Sequence, residues 1–256
     1  MLTALQYRIL RRIAPAGASR MTGAAYASAS KLQILLGADL LERVRGKDVL
    51  DFGCGYGVEA VEMARVARSV FGLDILPKSL ERARELAQKE GVANRCTFGT
   101  VPPVDRVDTI ISLDSFEHFG RPDDILRTMH ELLRPGGQVI ASFGPTWYHP
   151  LGGHLFSVFP WAHLVFSERA LVRWRSDIRA DGATRFSEVE GGLNQMTIGR
   201  FERLVAASPL RLVHLEAVPI RKFRPIANRL TREFTTSIVR CVLERPARDD
   251  VKEGSR

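Results

Sequence analysis

Features that would place this chain in a special structural class are scarce or missing. No apolar run approaches the ~18 residues that a membrane-spanning helix needs. Only three cysteines occur, and Cys54, Cys96 and Cys241 lie far apart without a CxxC pair. This spacing argues against a disulfide framework and a structural zinc site, and it predicts a reducing, cytoplasmic location.

Acidic residues are missing from two stretches, 1–38 and 217–232. Each stretch carries five Arg or Lys residues, so the rest of the chain carries −2 of the formal net charge of +8. An enzyme that modifies nucleic-acid bases needs a basic groove, and a near-neutral core argues against one. The basic flanks are typical of contact with anionic lipid, nucleic acid or acidic substrates, or of a solvated arginine-rich surface.

The remaining composition is that of an ordinary globular protein, with 256 residues, 45% of them hydrophobic and 26% charged. These values exclude a disordered, collagen-like or coiled-coil chain. The length suits one large α/β domain with an insertion, or at most two domains.

Residues 2–13 have the pattern of a basic amphipathic helix. Leu2, Leu5, Ile9 and Ile13 recur at helical spacing, and we expect the arginines to lie opposite them. Two placements remain open for this helix. It either docks on the rest of the chain as a lid or lies on a membrane surface.

From residue 30 onward, helical and strand periods alternate, which predicts a parallel sheet covered by helices. Strands are expected at 49–52, 70–74, 96–99, 108–113 and 138–143, and later at 210–218 and 235–244. Helices are expected at 32–46, from 58 to about 68, and at 77–91, 122–134 and 197–207. The alternation stops at 144–196, which holds all three tryptophans and three of the six histidines. We predict that this segment is an insertion after strand five that caps the carboxyl edge of the sheet.

The strongest signal in the chain is the turn 51–57 (DFGCGYG), which links an apolar strand to a helix. Glycines there allow positive φ and let the backbone approach a ligand closely. The spacing is GxGxG with an acid two residues ahead, whereas dinucleotide-binding turns use GxGxxG. The acid, Asp51, suits a ligand with a positive amino group and would repel a pyrophosphate. Asp74 ends the second strand, where its carboxylate can accept both hydroxyls of a ribose.

Four motifs follow one another in a fixed order: VLDFGCGYG, FGLDIL, SLDSFEHF and LLRPGGQVI. In this combination the chain resembles the class I S-adenosylmethionine-dependent methyltransferases, especially the small-molecule branch that includes quinone-biosynthesis methyltransferases. The resemblance covers residues 30–143. It implies a Rossmann-like α/β fold with a seven-stranded, mostly parallel sheet and helices on both faces. It also implies S-adenosylmethionine as the cofactor and a last strand, 235–244, antiparallel beside strand five.

The sequence pattern and the resemblance together divide the chain into five parts. We predict an N-terminal basic helix or lid at 1–29, an S-adenosylmethionine-binding core at 30–143, a substrate cap at 144–196, the completion of the core sheet at 197–245 and a tail at 246–256.

The resemblance also assigns cofactor contacts to the ends of the first four strands. The three glycines of the turn shape the site, Asp51 lies near the methionine end, and Asp74 holds the ribose. Thr100 and Val101 follow the third strand, where the family often has an Asp near the adenine amino group, so adenine recognition departs from the family pattern here. The complete predicted set is Asp51, Gly53, Cys54, Gly55, Gly57, Asp74, Ile75, Thr100, Val101, Leu113 and Asp114.

Methyl transfer from a sulfonium uses an activated donor, so the protein has mainly to position the acceptor and exclude water. A general base is needed only if the acceptor is a neutral hydroxyl or a protonated amine. The candidates for that base are His154, beside Gly153 in the cap, and His118, at the edge where ligands bind in open α/β sheets. His118 has the alternative role of a loop residue that fixes the entry of the next helix.

The cap supplies the candidate acceptor contacts, which are Tyr148, His149, Trp161 and His163. The spacing of the cap histidines matches no usual metal pattern. The acid-x-x-Glu-His pattern at 114–118 resembles a divalent-cation site of some quinone O-methyltransferases, but it is also widespread in relatives for which no metal is inferred. We therefore predict no metal, and we expect Asp114 and Glu117 to support the loop.

The sequence predicts a methyltransferase that acts on a small-molecule acceptor by O-methylation, the acceptor being a secondary metabolite, a glycan precursor or a lipid-like compound. Two alternatives remain open, a catalytically silent cofactor-binding interaction protein and an RNA methyltransferase. The Asn/Asp-Pro-Pro-Tyr/Phe signature of amino-methyltransferases is absent after strand four, which argues against nucleic acid. The basic termini also predict peripheral contact with the inner membrane surface. The sequence leaves the oligomeric state open.

Overall fold

The structure is a computed structural model that describes residues 2–15, 30–189 and 191–247. Residues 16–29 of the predicted N-terminal helix or lid and most of the predicted tail at 246–256 therefore lie outside the described residues.

Seven strands form a single sheet in the order β3-β2-β1-β4-β5-β7-β6. Strands β1 to β5 are parallel, and β7 runs antiparallel between β5 and β6. The predicted seven-stranded, mostly parallel fold is therefore confirmed, as is the antiparallel strand beside strand five. The strands are β1 (Asp48–Phe52), β2 (Ser69–Leu73), β3 (Cys96–Gly99), β4 (Val107–Leu113), β5 (Leu133–Phe143), β6 (Arg211–Pro219) and β7 (Thr236–Glu244).

Ten helices cover or extend this sheet within the described part of the chain. Two of them begin at a proline, Pro77 or Pro122, as predicted, because the fixed φ of proline suits the first helical turn. The helices are α1 (Leu2–Ile13), α2 (Lys31–Leu36), α3 (Leu40–Val44), α4 (Val58–Ala64), α5 (Pro77–Lys89), α6 (Pro122–Leu132), α7 (Ala162–Val165), α8 (Glu168–Ser176), α9 (Ile198–Ala206) and α10 (Arg232–Thr235).

The structure differs from the predicted elements at two places in the core. The single helix expected from residue 32 to residue 46 is divided into α2 and α3, because Gly37 has a φ of +109° that no helix contains. Strand β5 begins at Leu133 rather than at Gln138, and its pairing with β4 shifts register between Val107 and Thr109. Neither difference moves the carboxyl edge of the sheet.

Both faces of the central parallel strands, β1 and β4, are buried, as expected for parallel strands. On one face, α2 to α5 pack Leu32, Leu40, Met63 and Leu80 against the strands. On the other face, α6 and α9 do the same with residues that include Phe201. Consecutive residues of β1 contact opposite faces, since Val49 belongs to the first cluster and Leu50 to the second.

The 144–196 segment, here called the cap segment, lies between β5 and α9. Its described residues form no strand; they form α7, α8 and two 3-10 helices, His154–Phe156 and Phe186–Glu188. Phe156, Leu171, Trp174 and Phe186 give the segment an apolar cluster of its own. The side chain of Asn194 donates to the carbonyls of residues 116 and 119, which ties the cap segment to the loop after β4.

Helix α1 docks on the cap segment, but not through the face that the sequence pattern indicated. Tyr7, Leu10 and Ala14 contact the apolar cluster around α8. The stripe of Leu2, Leu5, Ile9 and Ile13 instead stays exposed to solvent. The arginines do not lie opposite this stripe, because Arg8, Arg11 and Arg12 are only about 110° from it around the helix axis. A short helix can carry two apolar faces, and only tertiary contacts select the one that packs.

Within residues 2–15, 30–189 and 191–247, no helix has the length and apolar content that crossing a bilayer requires.

Candidate functional site

The glycine turn lies at the carboxyl end of β1, where it bends the chain toward α4. Gly53, Gly55 and Gly57 all have positive φ, at +86°, +51° and +75°. A Cβ on Gly57 would come within 2.7 Å of Ala83 and 2.8 Å of Phe98, so this glycine allows close packing of α4 on α5 and β3. A Cβ on Gly55 would meet nothing within 4 Å. The open side of the turn is therefore at Gly55, which is where a ligand can approach the backbone.

Asp51 is buried at the end of β1, with 3% of its surface exposed. Its Oδ2 atom has no hydrogen-bond partner among the described residues. The pKa of Asp51 is raised to about 8, chiefly by burial and also by the carboxylates of Glu59 and Asp74, while Lys31 opposes them. A buried carboxyl oxygen without a partner is costly, and a cationic amino group on a ligand would satisfy it.

The Asp74 carboxylate links the end of β2 to the glycine turn. Its Oδ2 accepts the backbone N–H of Gly55 at 2.9 Å, and its Oδ1 accepts that of Leu76 at 2.9 Å. A carboxylate has about four acceptor positions, so it can still accept the hydroxyls of a ribose. Asp74 therefore has a structural role in addition to the predicted role in ribose binding.

The predicted adenine side of the site presents apolar side chains to solvent. Ile75, directly after Asp74, is 86% exposed, and Val101, after β3, is 71% exposed. Thr100 is also exposed. Two uncovered aliphatic side chains at the carboxyl ends of neighbouring strands fit the faces of an aromatic ring, and the Thr100 hydroxyl is available as a polar partner.

Two further predicted residues have roles that the motif did not indicate. Cys54 is buried, its sulfur would lie 2.8 Å from a Cβ on Gly72, and burial raises the pKa of its thiol. Its side chain thus packs in the core, which leaves its backbone to contact a ligand. Asp114, with a φ of +47°, pairs with Lys31 at 3.1 Å, while Leu113 is buried in β4. The first turn of α2 therefore covers the loop after β4.

These observations together fit S-adenosylmethionine. The partnerless Asp51 oxygen would meet the amino group of the methionine part, the Asp74 carboxylate would meet the ribose, and Ile75 and Val101 would meet the adenine. The open space at Gly55 leaves room for a ligand to contact the backbone of the turn.

The two candidate bases, which are distant in sequence, lie next to each other in the structure. The rings of His118 and His154 are 5.2 Å apart between centroids, at 80° to each other. His118 Nδ1 lies 2.8 Å from the Gly192 carbonyl oxygen. Because a carbonyl only accepts, Nδ1 of His118 carries the proton and its Nε2 is left as an acceptor. The alternative role of His118, in fixing the loop, is thus compatible with a role at the site.

Glu117 joins the two histidines, a grouping that the sequence analysis missed. One ligand atom from each of Glu117, His118 and His154 lies within 4.8 Å of the others. Oε1 of Glu117 accepts the N–H of Gly144 at 3.1 Å, and its Oε2 has no partner among the described residues. Burial, assisted by Asp114, raises the pKa of Glu117 to about 8. The contact with Gly144 is the loop-supporting role that the sequence analysis expected.

His154 is kept neutral by its surroundings. Its pKa is lowered to about 4, chiefly by burial and in smaller part by the neighbouring His118, His163 and His149. Its Nε2 is buried without a partner in the described part of the chain. A neutral imidazole nitrogen can accept a proton from a hydroxyl brought into its reach. Three donor atoms this close could also hold a metal ion, although one of them, on Glu117, belongs to a carboxyl that burial keeps protonated near neutral pH.

The predicted acceptor contacts divide into two kinds. Both nitrogens of His163 are near protein oxygens, at 2.6 Å from the Trp147 carbonyl and 3.3 Å from Ser157 Oγ. His149 Nδ1 accepts the N–H of Leu151. These two histidines therefore stabilise the cap segment, and burial lowers the pKa of both, to about 4 for His149.

Tyr148 and Trp161 instead join the cap segment to the chain before β7. Trp161 donates to the Tyr148 carbonyl at 2.9 Å and stacks on Phe223, while Tyr148 packs against Phe234. Their part in acceptor binding stays a prediction.

Comparison with solved structures identifies the fold class. The cyclase SpnF aligns with a TM-score of 0.55 over 82% of this chain and 80% of its own, at 17% identity. A methyltransferase from Mesorhizobium loti, described as S-adenosylmethionine dependent, aligns with a TM-score of 0.53 over 80% of this chain and 96% of its own, at 19% identity. At such identities the likeness establishes the fold, which is that of class I methyltransferases.

The sequence comparisons agree with that fold. Residues 43–146 match a family described as "Methyltransferase domain". Curated relatives called "Ubiquinone biosynthesis O-methyltransferase" include one from Proteus mirabilis, 36% identical over 38% of this chain and 42% of its own, and one from Pseudomonas aeruginosa, 35% identical over 38% and 44%. The matching part thus spans about two fifths of these relatives. The resemblance to small-molecule class I methyltransferases is confirmed, as is S-adenosylmethionine as the cofactor of the domain.

Proposed function

We propose that this chain transfers a methyl group from S-adenosylmethionine to a hydroxyl of a small-molecule acceptor. The observation that carries the proposal is the partnerless carboxyl oxygen of Asp51 beside the glycine turn. Relatives named as ubiquinone O-methyltransferases support oxygen as the methylated atom. The acceptor class that we propose is a secondary metabolite, a glycan precursor or a lipid-like compound.

S-adenosylmethionine, when bound, supplies a methyl group that is already activated on its sulfonium. The chain therefore contributes chiefly by holding the reactants in line, and orientation alone can account for ~7–11 kcal/mol of a barrier. Asp51 would hold the methionine part of the cofactor, and Asp74 would hold its ribose. The cap segment, tied by Asn194 to the loop after β4, would exclude water from the carboxyl edge.

We propose that His154 accepts the proton that the acceptor hydroxyl loses when its oxygen is methylated. Its Nε2 is buried and has no partner among the described residues, so a hydroxyl could bind there as donor. His118 contacts the same ring and offers its own Nε2 as a second acceptor. Glu117, whose pKa is raised to about 8, is protonated at neutral pH and can donate to one of these nitrogens.

The first experiment is calorimetric titration of S-adenosylmethionine and S-adenosylhomocysteine into the purified chain. We expect the wild type to bind both compounds. We expect Asp74→Ala to bind them at least tenfold more weakly, because it loses the carboxylate that accepts the ribose hydroxyls and the hydrogen bond from the Gly55 N–H. Asp105→Asn, which changes an exposed carboxylate before β4, is the matched control and should bind like the wild type. Equal binding by Asp74→Ala would contradict the proposed site.

The second experiment measures S-adenosylhomocysteine formation against hydroxyl compounds with aromatic, sugar and lipid-like frameworks. Turnover with any of these compounds supports O-methylation if it is lowered in a variant that lacks His154. Cofactor binding without turnover on every class would favour the alternative of a silent interaction protein. Turnover on RNA, falling steeply with salt, would favour the nucleic-acid alternative.

A further inference from the structure

Helix α1 has three different faces, about 120° apart around its axis. The first, with Tyr7, Leu10 and Ala14, packs on the cap segment. The second is the apolar stripe, whose four members, Leu2, Leu5, Ile9 and Ile13, are between 42% and 67% exposed. The third is the arginine face, which consists of Arg8, Arg11 and Arg12, all exposed.

The exposure of the apolar stripe is fixed by specific contacts on the other side of the helix. The Tyr7 hydroxyl donates to both carboxylate oxygens of Asp177, at 2.9 and 3.1 Å. Trp174 donates through its indole N–H to the Ala14 carbonyl at 2.9 Å. These bonds orient α1 on α8. The stripe therefore faces outward because of how the helix is held, and a simple rotation that buried it would break them.

The arginine face forms one wall of an open groove between α1 and α8. The groove has a volume of about 510 Å³, and its lining includes Arg8, Arg11, Arg12 and Arg173. Arg173 lies over the Tyr7 ring at 4.3 Å, and Arg11 is 3.6 Å from Asp177. Among the described residues, Asp177 is the one carboxylate that forms an ion pair with these four guanidinium groups, which leaves the groove strongly positive. Such a groove suits phosphate groups, which guanidinium groups bind with charge-assisted hydrogen bonds.

The apolar stripe is extended by the neighbouring helix α7. Gln6 lies between the docked face and the stripe, and it accepts two hydrogen bonds from Ser167, at 3.1 and 2.7 Å. This contact brings the end of α7 to the stripe side of α1. The last two residues of α7, Leu164 and Val165, are themselves exposed. Exposed aliphatic side chains are thus found on two neighbouring elements.

We propose that α1 attaches this protein to an anionic lipid bilayer, with the apolar stripe inserted at the boundary between headgroups and acyl chains and the arginine face on lipid phosphates. An aliphatic stripe next to a cationic face is the pattern of a helix that lies in the membrane interface. The proposal concerns the attachment of the chain and does not depend on methyl transfer.

The charges on α1 distinguish a bilayer from other occupants. Nucleic acid would use the arginine face but would leave the apolar stripe in water. A second copy of the chain could cover the stripe symmetrically, but it would bring two arginine faces close together, and like charges so placed repel. An anionic bilayer satisfies both faces at once.

The test is sedimentation of the full chain with vesicles of phosphatidylcholine alone and of an equimolar mixture with phosphatidylglycerol. We expect binding to the mixed vesicles only, weakened by salt. The double variant Leu5→Glu/Ile9→Glu should lower the partition coefficient at least tenfold. Its matched control is Val104→Glu, which changes a fully exposed aliphatic residue outside α1. Equal loss in both, or no binding by the wild type, would overturn the proposal.

A second pair of variants tests the arginine face. Arg8→Gln/Arg12→Gln should lower the binding to mixed vesicles at least fivefold. Lys47→Gln/Arg95→Gln removes two exposed charges before β1 and β3, at the opposite edge of the sheet, and should bind like the wild type. Circular dichroism melting curves verify that each variant is folded, and all four positions are exposed. Equal weakening by both double variants would indicate attraction by net charge alone and would overturn the assignment to α1.

Three further results would each overturn the proposal in favour of another occupant. Release from the vesicles by inorganic phosphate, beyond that caused by chloride at the same ionic strength, would assign the groove to a free anion. A dimer in solution that dissociates in Leu5→Glu/Ile9→Glu would assign the stripe to a second copy. RNA that competes with the vesicles would assign the arginine face to nucleic acid.

Discussion

The rings of His118 and His154 meet edge to face, 5.2 Å apart between centroids, although one belongs to the loop after β4 and the other to the cap segment. The Gly192 carbonyl accepts from His118 and fixes the orientation of its ring. The pair exists only when the cap segment is packed on the core sheet. The proposed reaction centre is therefore a property of the contact between the two parts.

We expect His154→Ala to lower turnover at least tenfold, which corresponds to ~1.4 kcal/mol of the activation barrier. The reason is that the hydroxyl proton of the acceptor loses its nearest buried acceptor, Nε2. Binding of S-adenosylmethionine should be unchanged, since the site of Asp51 and Asp74 is untouched. Steady-state kinetics and calorimetry on the same preparation measure the two effects.

Two controls make this result interpretable. His154 has a φ of +51°, so His154→Asn, which tolerates that backbone, separates the loss of the base from backbone strain. His214→Ala removes an exposed histidine on β6 and should leave turnover unchanged. Wild-type turnover in both His154 variants would remove His154 from the mechanism.

The pH dependence of stability should reveal the buried carboxyl of Asp51. Its pKa is about 8 in the folded chain, against 3.8 for an ordinary aspartate, so between these pH values the folded state binds more protons than the unfolded state. The contribution of Asp51 to stability is thus present below pH 4 and is lost as pH rises toward 8.

We therefore expect Asp51→Asn to become progressively more stable than the wild type between pH 5 and 8, by at most ~1.4 kcal/mol per pH unit. Denaturant titrations at several pH values measure the free energy of unfolding of the variant and of the wild type. The difference between the two removes the titration of the other groups, which both proteins share. A difference that is constant over this range would show that Asp51 is ionised throughout and that its oxygen has a partner.

Gly55 and Gly46 provide a matched pair of substitutions. Both have positive φ, at +51° and +66°, and a Cβ on either would meet nothing within 4 Å. Replacement by alanine should therefore cost each variant a similar ~1–2 kcal/mol of stability through backbone strain. Only Gly55→Ala should also weaken S-adenosylmethionine binding, by at least tenfold, because its Cβ occupies the open side of the turn. Equal affinities in the two variants would place the ligand elsewhere.

Chelation tests whether the cluster of Glu117, His118 and His154 needs a metal. We expect turnover to survive EDTA, because Glu117 is protonated near neutral pH and uses one oxygen on Gly144. Such a carboxyl is a poor ligand for a divalent cation. Loss of turnover in EDTA, restored by adding back one divalent cation, would show that the three donor atoms within 4.8 Å of each other hold an ion.

Much of the core could be predicted from local sequence. Strand β3 has the predicted bounds, and α5 and α6 begin at the predicted prolines, because a proline or a short apolar run acts through its own backbone. The turn at 51–57 could likewise be predicted from the sequence, since only glycine adopts positive φ at little cost. The division into α2 and α3 was missed because Gly37 has no neighbouring turn signal that distinguishes it from a tolerated helix glycine.

The sequence by itself determined the sheet, the glycine turn and the two carboxylates, Asp51 and Asp74, at the ends of neighbouring strands. Only the tertiary structure decided which face of α1 packs, because Leu10 and Ile9 are equally apolar and differ only in what lies opposite. It likewise decided that Glu117 joins His118 and His154. His154 is distant in sequence from the other two residues and meets them through the packing of the cap segment on the loop after β4. No periodicity or motif within the loop or within the cap segment predicts that contact.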